Sequence, residues 1–204
     1  MLILLEKGGV IMALIILLAF VATVIIVERL LYFRKIRIDE NTMIERLKSA
    51  LQKQHYDEAI NICENNPSPI SNLMKVGIEH REYGPSDIKD AIMSAANLEI
   101  PLLEKYLTSL GTIAHISPLL GLLGTVTGNI QAFGVLGEFG SVGDPSLLAS
   151  GISEALLTTA AGIIVSIPAI SFYNFLVNKV NHIIMRLENR VNDMVLLLGK
   201  ETSS

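Results

Sequence analysis

Positive charge is missing from the middle of this chain: of its sixteen Lys and Arg, none falls between Thr108 and Asn178. There is also no basic stripe with interleaved aromatics, so nucleic-acid binding has no support. Cysteine is nearly missing too, and the single Cys63 cannot close an intrachain disulfide, which agrees with a reducing compartment for its segment. His55 and His80 lack ligand partners at metal spacing, so they read as surface residues and no metal centre is expected. Nor is there a nucleophile with its base or a phosphate loop after a strand, so neither an enzyme nor a cofactor is expected. Only 18% of the residues are charged and 50% are apolar, too greasy for an ordinary soluble domain. The net charge of −4 says little, because the charges are segregated. An integral membrane protein with one polar section fits.

The acid that leads into the last uncharged run of this region is Glu154. Glu154 is followed by 24 uncharged residues, Ala155 to Asn178. At about 1.5 Å per residue a helix of that length crosses a bilayer of roughly 30 Å. An acid at the centre of such a span costs about 2.5 to 3.5 kcal/mol, so protonation or a wet cavity with polar neighbours must offset it. Thr158 lies four residues on, on the same side of the helix, and Thr159 turns toward a neighbouring face. The alternative is that Glu154 sits at the helix mouth in headgroup water.

In chain order, residues 1–7 form a short outer terminus, and Gly8 to Val27 is a run of 20 uncharged, almost wholly apolar residues that reads as a first span. No small-x-small cleavage site follows it, so it is not a signal peptide. The next residues include Glu28, Arg29, Arg34, Lys35 and Arg37, a basic flank expected to face the cytoplasm. Residues 28–105 then have a soluble character, with eleven Lys and Arg against thirteen Asp and Glu. Ile44, Leu47 and Leu51 recur at helical spacing, as do Ala59, Ile60 and Cys63, up to the break at Asn65-Asn66-Pro67-Ser68-Pro69. A short helix follows over about 70–81, and another begins after Tyr83-Gly84-Pro85 with Ser86 or Asp87 as its cap. This is a small helical cytoplasmic domain.

The second span is expected over 106–133. Gly124 and Gly128 form a small-xxx-small pair suited to close helix approach. Thr125, Thr127, Asn129 and Gln131 place polar groups that should face a bundle interior or a pore, though the Thr125 hydroxyl can equally bond the carbonyl four residues back. Residues 134–144 are glycine-rich, carry no Lys or Arg and read as a periplasmic loop. Asp144-Pro145 looks like a cap with proline in the first turn, opening a third span over 145–178. Glu154 would then lie nine residues, or about 14 Å, into that helix. Pro168 can bend the span, with Ser166 or a neighbouring chain satisfying the freed carbonyl. Beyond Lys179, Val180, Ile183, Ile184, Leu187, Val191, Met194 and Leu198 continue the helix as an amphipathic cytoplasmic segment over 179–204. The fold class is all-α, an integral membrane protein with three transmembrane helices and extended cytoplasmic helices.

The stretches Ser117-Pro118-Leu119-Leu120-Gly121-Leu122-Leu123-Gly124-Thr125-Val126-Thr127-Gly128 and Gly151-Ile152-Ser153-Glu154-Ala155-Leu156-Leu157-Thr158-Thr159-Ala160-Ala161-Gly162, then Ile167-Pro168-Ala169, closely resemble the ExbB/TolQ/MotA proton-channel family. Glu28-Arg29 at the end of the first span resembles it as well. Three spans rather than four favour the ExbB/TolQ branch, and Thr127 favours the ExbB side, since TolQ-type chains tend to carry Trp there.

The resemblance implies an inner-membrane, multi-pass subunit with a periplasmic N-terminus and a cytoplasmic C-terminus. It implies a homo-oligomer, a pentamer, embedded in membrane lipid around a single-span partner of the ExbD/TolR type that carries a protonatable Asp. The expected role is to use the proton motive force to energise an outer-membrane process, foremost TonB-dependent nutrient uptake through a TonB-like protein. By motif position Glu154, Thr125 and Thr159 match the family's proton-pathway residues. Thr158 adds a hydroxyl on the Glu154 face, and His115 is a secondary relay candidate. The alternatives are a TolQ-type envelope-maintenance motor and a non-conducting scaffold for the single-span partner.

Overall fold

The computed structural model describes residues 2–36, 40–139 and 145–199. Among the described residues every regular element is a helix: α1 Leu2–Lys35, α2 Glu40–Gln52, α3 Tyr56–Glu64, α4 Pro69–Glu79, α5 Pro85–Glu104, α6 Leu107–Phe139 and α7 Pro145–Gly199. Three stretches are long and apolar enough to cross a membrane, within Gly9–Lys35, Pro85–Gly134 and Ala149–Leu196. The protein is an all-α multi-pass membrane protein. It divides into two compact units, Met1–Arg29 with Tyr106–Leu176, and Leu30–Lys105 with Val177–Ser204.

The first unit holds the apolar parts of α1, α6 and α7. The helix of α1 is interrupted at Gly9, whose φ of 56° and ψ of −156° lie where only glycine avoids strain. At the other end of α1, Arg29 is 2% exposed. Its Nε and Nη2 donate to the Glu28 carboxylate at 2.5 and 2.6 Å, and the guanidinium lies 5.7 Å from the Tyr106 ring centre. This first cation of the basic flank after the span is thus buried within its unit. Pairing and the aromatic face offset the desolvation of the cation.

α6 and α7 pack antiparallel through small residues. A Cβ on Gly128 would lie 2.7 Å from that of Ala155, one on Gly151 2.9 Å from that of Ala132, and one on Gly121 2.9 Å from the Thr159 Cα. Cβ atoms at Gly124 and Gly162 would collide with the Thr158 side chain and the Ser117 carbonyl oxygen. Close approach brings hydroxyls to the facing backbone: Thr159 Oγ1 donates to the Gly121 carbonyl at 2.9 Å and Ser166 Oγ to that of Ala114 at 2.6 Å. Pro118 has no N–H, so it leaves the Ala114 carbonyl without its partner within α6. Ser166 therefore satisfies a carbonyl freed by the proline of the opposite helix, not the one freed by Pro168 as the sequence suggests. α6 also continues through Gly134 to Phe139, because six further residues keep helical geometry; the rest of the expected loop, and the Asp144 cap, lie outside the described residues.

The second unit is held by large aliphatic side chains. Leu73, Ile78, Ile88, Ile92 and Leu103 are all at most 1% exposed, and Ile44, Leu47, Leu51, Ala59 and Cys63 are buried as their spacing predicts. The Asn65–Ser68 break ends with Ser68 capping α4 through the Ser71 amide. The cap of α5 is Gly84 rather than Ser86 or Asp87: Pro85, with φ already set for a helix, occupies the first helical position and so places the cap at the residue before it. The amphipathic end of α7 buries Leu187, Val191, Met194 and Leu198, and Met194 reaches to within 3.2 Å of where a Gly77 Cβ would be. The apolar stripe after Lys179 thus packs on α4 within the second unit. His55 is exposed and His80 half-buried.

Candidate proton-pathway site

Glu154 is half-buried on α7 and lines a cavity of about 480 Å³. The α7 wall is Gly151, Glu154, Ala155 and Thr158; the α6 wall is Gly124, Thr127, Gly128 and Gln131. Both sets follow the i, i+3, i+4, i+7 stripe of one helix face. Gly9, Val10 and Ile11 close the α1 side, at the break in that helix. The small residues of the stripes let the backbones approach, with Thr158 packed against Gly124.

Each hydroxyl in the cavity has one proton to donate. Thr158 Oγ1 donates to the Ala155 carbonyl at 2.7 Å, with the Gly121 carbonyl at 3.3 Å. Thr127 Oγ1 lies 3.0 Å from the Leu123 carbonyl and 3.2 Å from that of Gly124. Their oxygens keep lone pairs for acceptance. With the Glu154 carboxylate and the Gln131 amide, the cavity offers mostly acceptors, suited to water and to a proton carried by it.

Glu154 and Thr158 are therefore brought together, whereas Thr125 and Thr159 are not among the residues lining this cavity. Thr125 bonds the Leu122 carbonyl at 2.7 Å, three residues back rather than four, and Thr159 bonds across to Gly121. His115 is exposed and its Nδ1–H donates to the Gly111 carbonyl at 2.6 Å. It precedes Gly124 by nine residues, about 14 Å along α6. Gln131 and Thr127 are the cavity residues that the motif match does not single out. Their signal was spacing, since 127 and 131 share a helix face with Gly124 and Gly128 while 125 and 129 do not.

The family model for the MotA/TolQ/ExbB proton channel family matches residues 65–189. The chain is 28% identical over 169 residues to an ExbB-like biopolymer transport protein of Synechocystis, covering 82% of this chain and 80% of that one. It is 29% identical over 184 residues to a biopolymer transport ExbB homologue of Methanothermobacter thermautotrophicus, covering 90% of this chain and 65% of that one. To the Tol-Pal system protein TolQ of Haemophilus influenzae it is 34% identical over 132 residues, 65% of this chain and 58% of that one.

Proposed function

Because the chain belongs to the MotA/TolQ/ExbB proton channel family, we propose that it is the proton-channel subunit of an inner-membrane motor that uses the proton motive force to energise an outer-membrane process. The process favoured is TonB-dependent nutrient uptake. One observation carries this reading: Glu154 stands in the α7 span beside a polar cavity, with no Lys or Arg between Thr108 and Asn178 to neutralise it. A carboxylate kept in an apolar span without a fixed counter-charge is costly unless it is protonated or reached by water, the two conditions of a proton carrier.

In this reading Glu154 takes up and passes protons, and Thr158 orients water beside it. Thr125 and Thr159 extend the path along α6 and α7, and His115 has the least support because it lies far from the cavity. One span acid without a span base makes an incomplete relay. A single-span partner of the ExbD/TolR type with a membrane Asp completes it, inside a ring of copies of this chain, five in this reading, and a TonB-like protein carries the work outward. Arg29, Arg34, Lys35 and Arg37 after the first span, with Lys179, Arg186 and Arg190 after the third, support a periplasmic N-terminus and a cytoplasmic C-terminus.

The match to TolQ favours one second reading, the same motor serving envelope maintenance. The test of the primary reading is Glu154→Gln in the native host. Energised uptake should be lost while the ring and its partner still co-purify in unchanged ratio. Uptake retained with an intact ring would overturn the assigned role and leave a structural scaffold.

A further inference from the structure

Motif matching directs attention to Thr125 and Thr159, yet the cavity that reaches Glu154 is lined by Thr127, Gln131 and Thr158. All of its walls come from α1, α6 and α7 of one chain, and all belong to one compact unit. We propose that this cavity is an aqueous vestibule contained within each copy of the chain, through which hydrated protons reach Glu154, with Thr127 and Gln131 as its positioning residues. The proposal rests on the reading of Glu154 as the proton carrier.

Three observations support water as the occupant. The volume of about 480 Å³ has room for roughly ten or more waters. The lining offers water a carboxylate, an amide and two hydroxyl oxygens, groups that an acyl chain would leave unsatisfied at a cost of several kcal/mol each. And on the α1 wall the lining includes the backbone of Gly9, which has no side chain and whose peptide groups water can meet. The stripe geometry assigns the positions: Thr127 and Gln131 are one turn apart on the face that carries Gly124 and Gly128, and Glu154 and Thr158 are one turn apart on the facing stripe.

The vestibule is tested in the assembled complex by thiol accessibility and by proton flux. Thr127→Cys and Gln131→Cys should react with a membrane-impermeant sulfonated methanethiosulfonate at least about tenfold faster than Ile130→Cys, an apolar position of α6 that does not line the cavity. The parent chain, whose one thiol at Cys63 is buried, is the blank. In proteoliposomes Thr127→Val with Gln131→Leu should lower proton flux by about five- to tenfold, and Thr127→Ser with Gln131→Asn should restore most of it. Reaction of the 127 and 131 cysteines with a lipophilic maleimide but not with the charged reagent would overturn the vestibule. So would full flux in the Val/Leu variant while Glu154→Gln abolishes it, an outcome that leaves the Glu154 reading standing. Full flux in Glu154→Gln would overturn that reading itself.

Discussion

The two units are both built of helices and are held together by opposite means. In the second unit Leu73, Ile78, Ile88 and Ile92 fill the interior, and its buried glycine, Gly77, gives room to Ile92 and Met194 side chains. In the first unit Gly121, Gly124, Gly128, Gly151 and Gly162 bring α6 and α7 almost backbone to backbone, while Leu17, Phe20, Leu122, Ile164 and Ile167 stay more than half exposed. The difference follows from the solvent. Water drives large side chains inward, whereas lipid is as apolar as leucine and rewards only close contact and interhelical hydrogen bonds.

That contrast can be broken by substitution. Leu73→Ala in the second unit should cost about 2 to 5 kcal/mol, because it opens a cavity. Leu122→Ala on the exposed face of α6 should leave stability nearly unchanged. Equal losses in denaturant unfolding of the two variants would refute the contrast.

Next in size is a pH effect confined to the second unit. Burial pushes the Cys63 thiol up from 9.0 to about 11, opposed by Lys75 and aided by Glu64. The raised value means that the folded state holds the proton where the unfolded chain has lost it. The stabilisation is full below pH 9 and should fall by about 2 to 3 kcal/mol as pH rises toward 11. Unfolding midpoints followed across that window should slope down in the parent chain more than in Cys63→Ala.

Gly162→Ala sharpens the comparison from the other side. A single added methyl would meet the Ser117 carbonyl oxygen, and parting the helices to relieve it should cost about 1 to 3 kcal/mol. Thermal unfolding in mild detergent measures it. The smallest effect is Ser166→Ala, which removes one interhelical hydrogen bond worth about 0.6 and at most about 1.7 kcal/mol. A loss in that range, seen as a lowered midpoint, is the expected result.

The same contrast explains what could be read ahead of the structure. The helices of the second unit were legible because water imposes a periodic stripe, and Ile44, Leu47, Leu51, Ile88 and Ile92 all proved buried. The spans were legible from uncharged length, and Glu154 from its isolation. What could not be read was the rotation of each span, since a helix greasy all round has no wet side to orient it. Hence motif position assigned Thr125 to the proton pathway and not Thr127, though only Thr127 shares the Glu154 cavity. The burial of Arg29 was hidden for another reason: its aromatic neighbour, Tyr106, is far away in the sequence and sits at a junction with φ of 64°. Nothing local announces either fact.

The bond from Ser166 to the Ala114 carbonyl has a mechanical meaning. Pro118 leaves α6 unable to complete its own ladder, so α7 supplies the missing rung. Sliding either helix by one residue, or turning it about its axis, would strand that carbonyl in a medium that cannot hydrate it. The pair is thereby keyed together like a shaft and its hub. Any relative movement of the spans must therefore be accommodated along surfaces other than the α6–α7 seam.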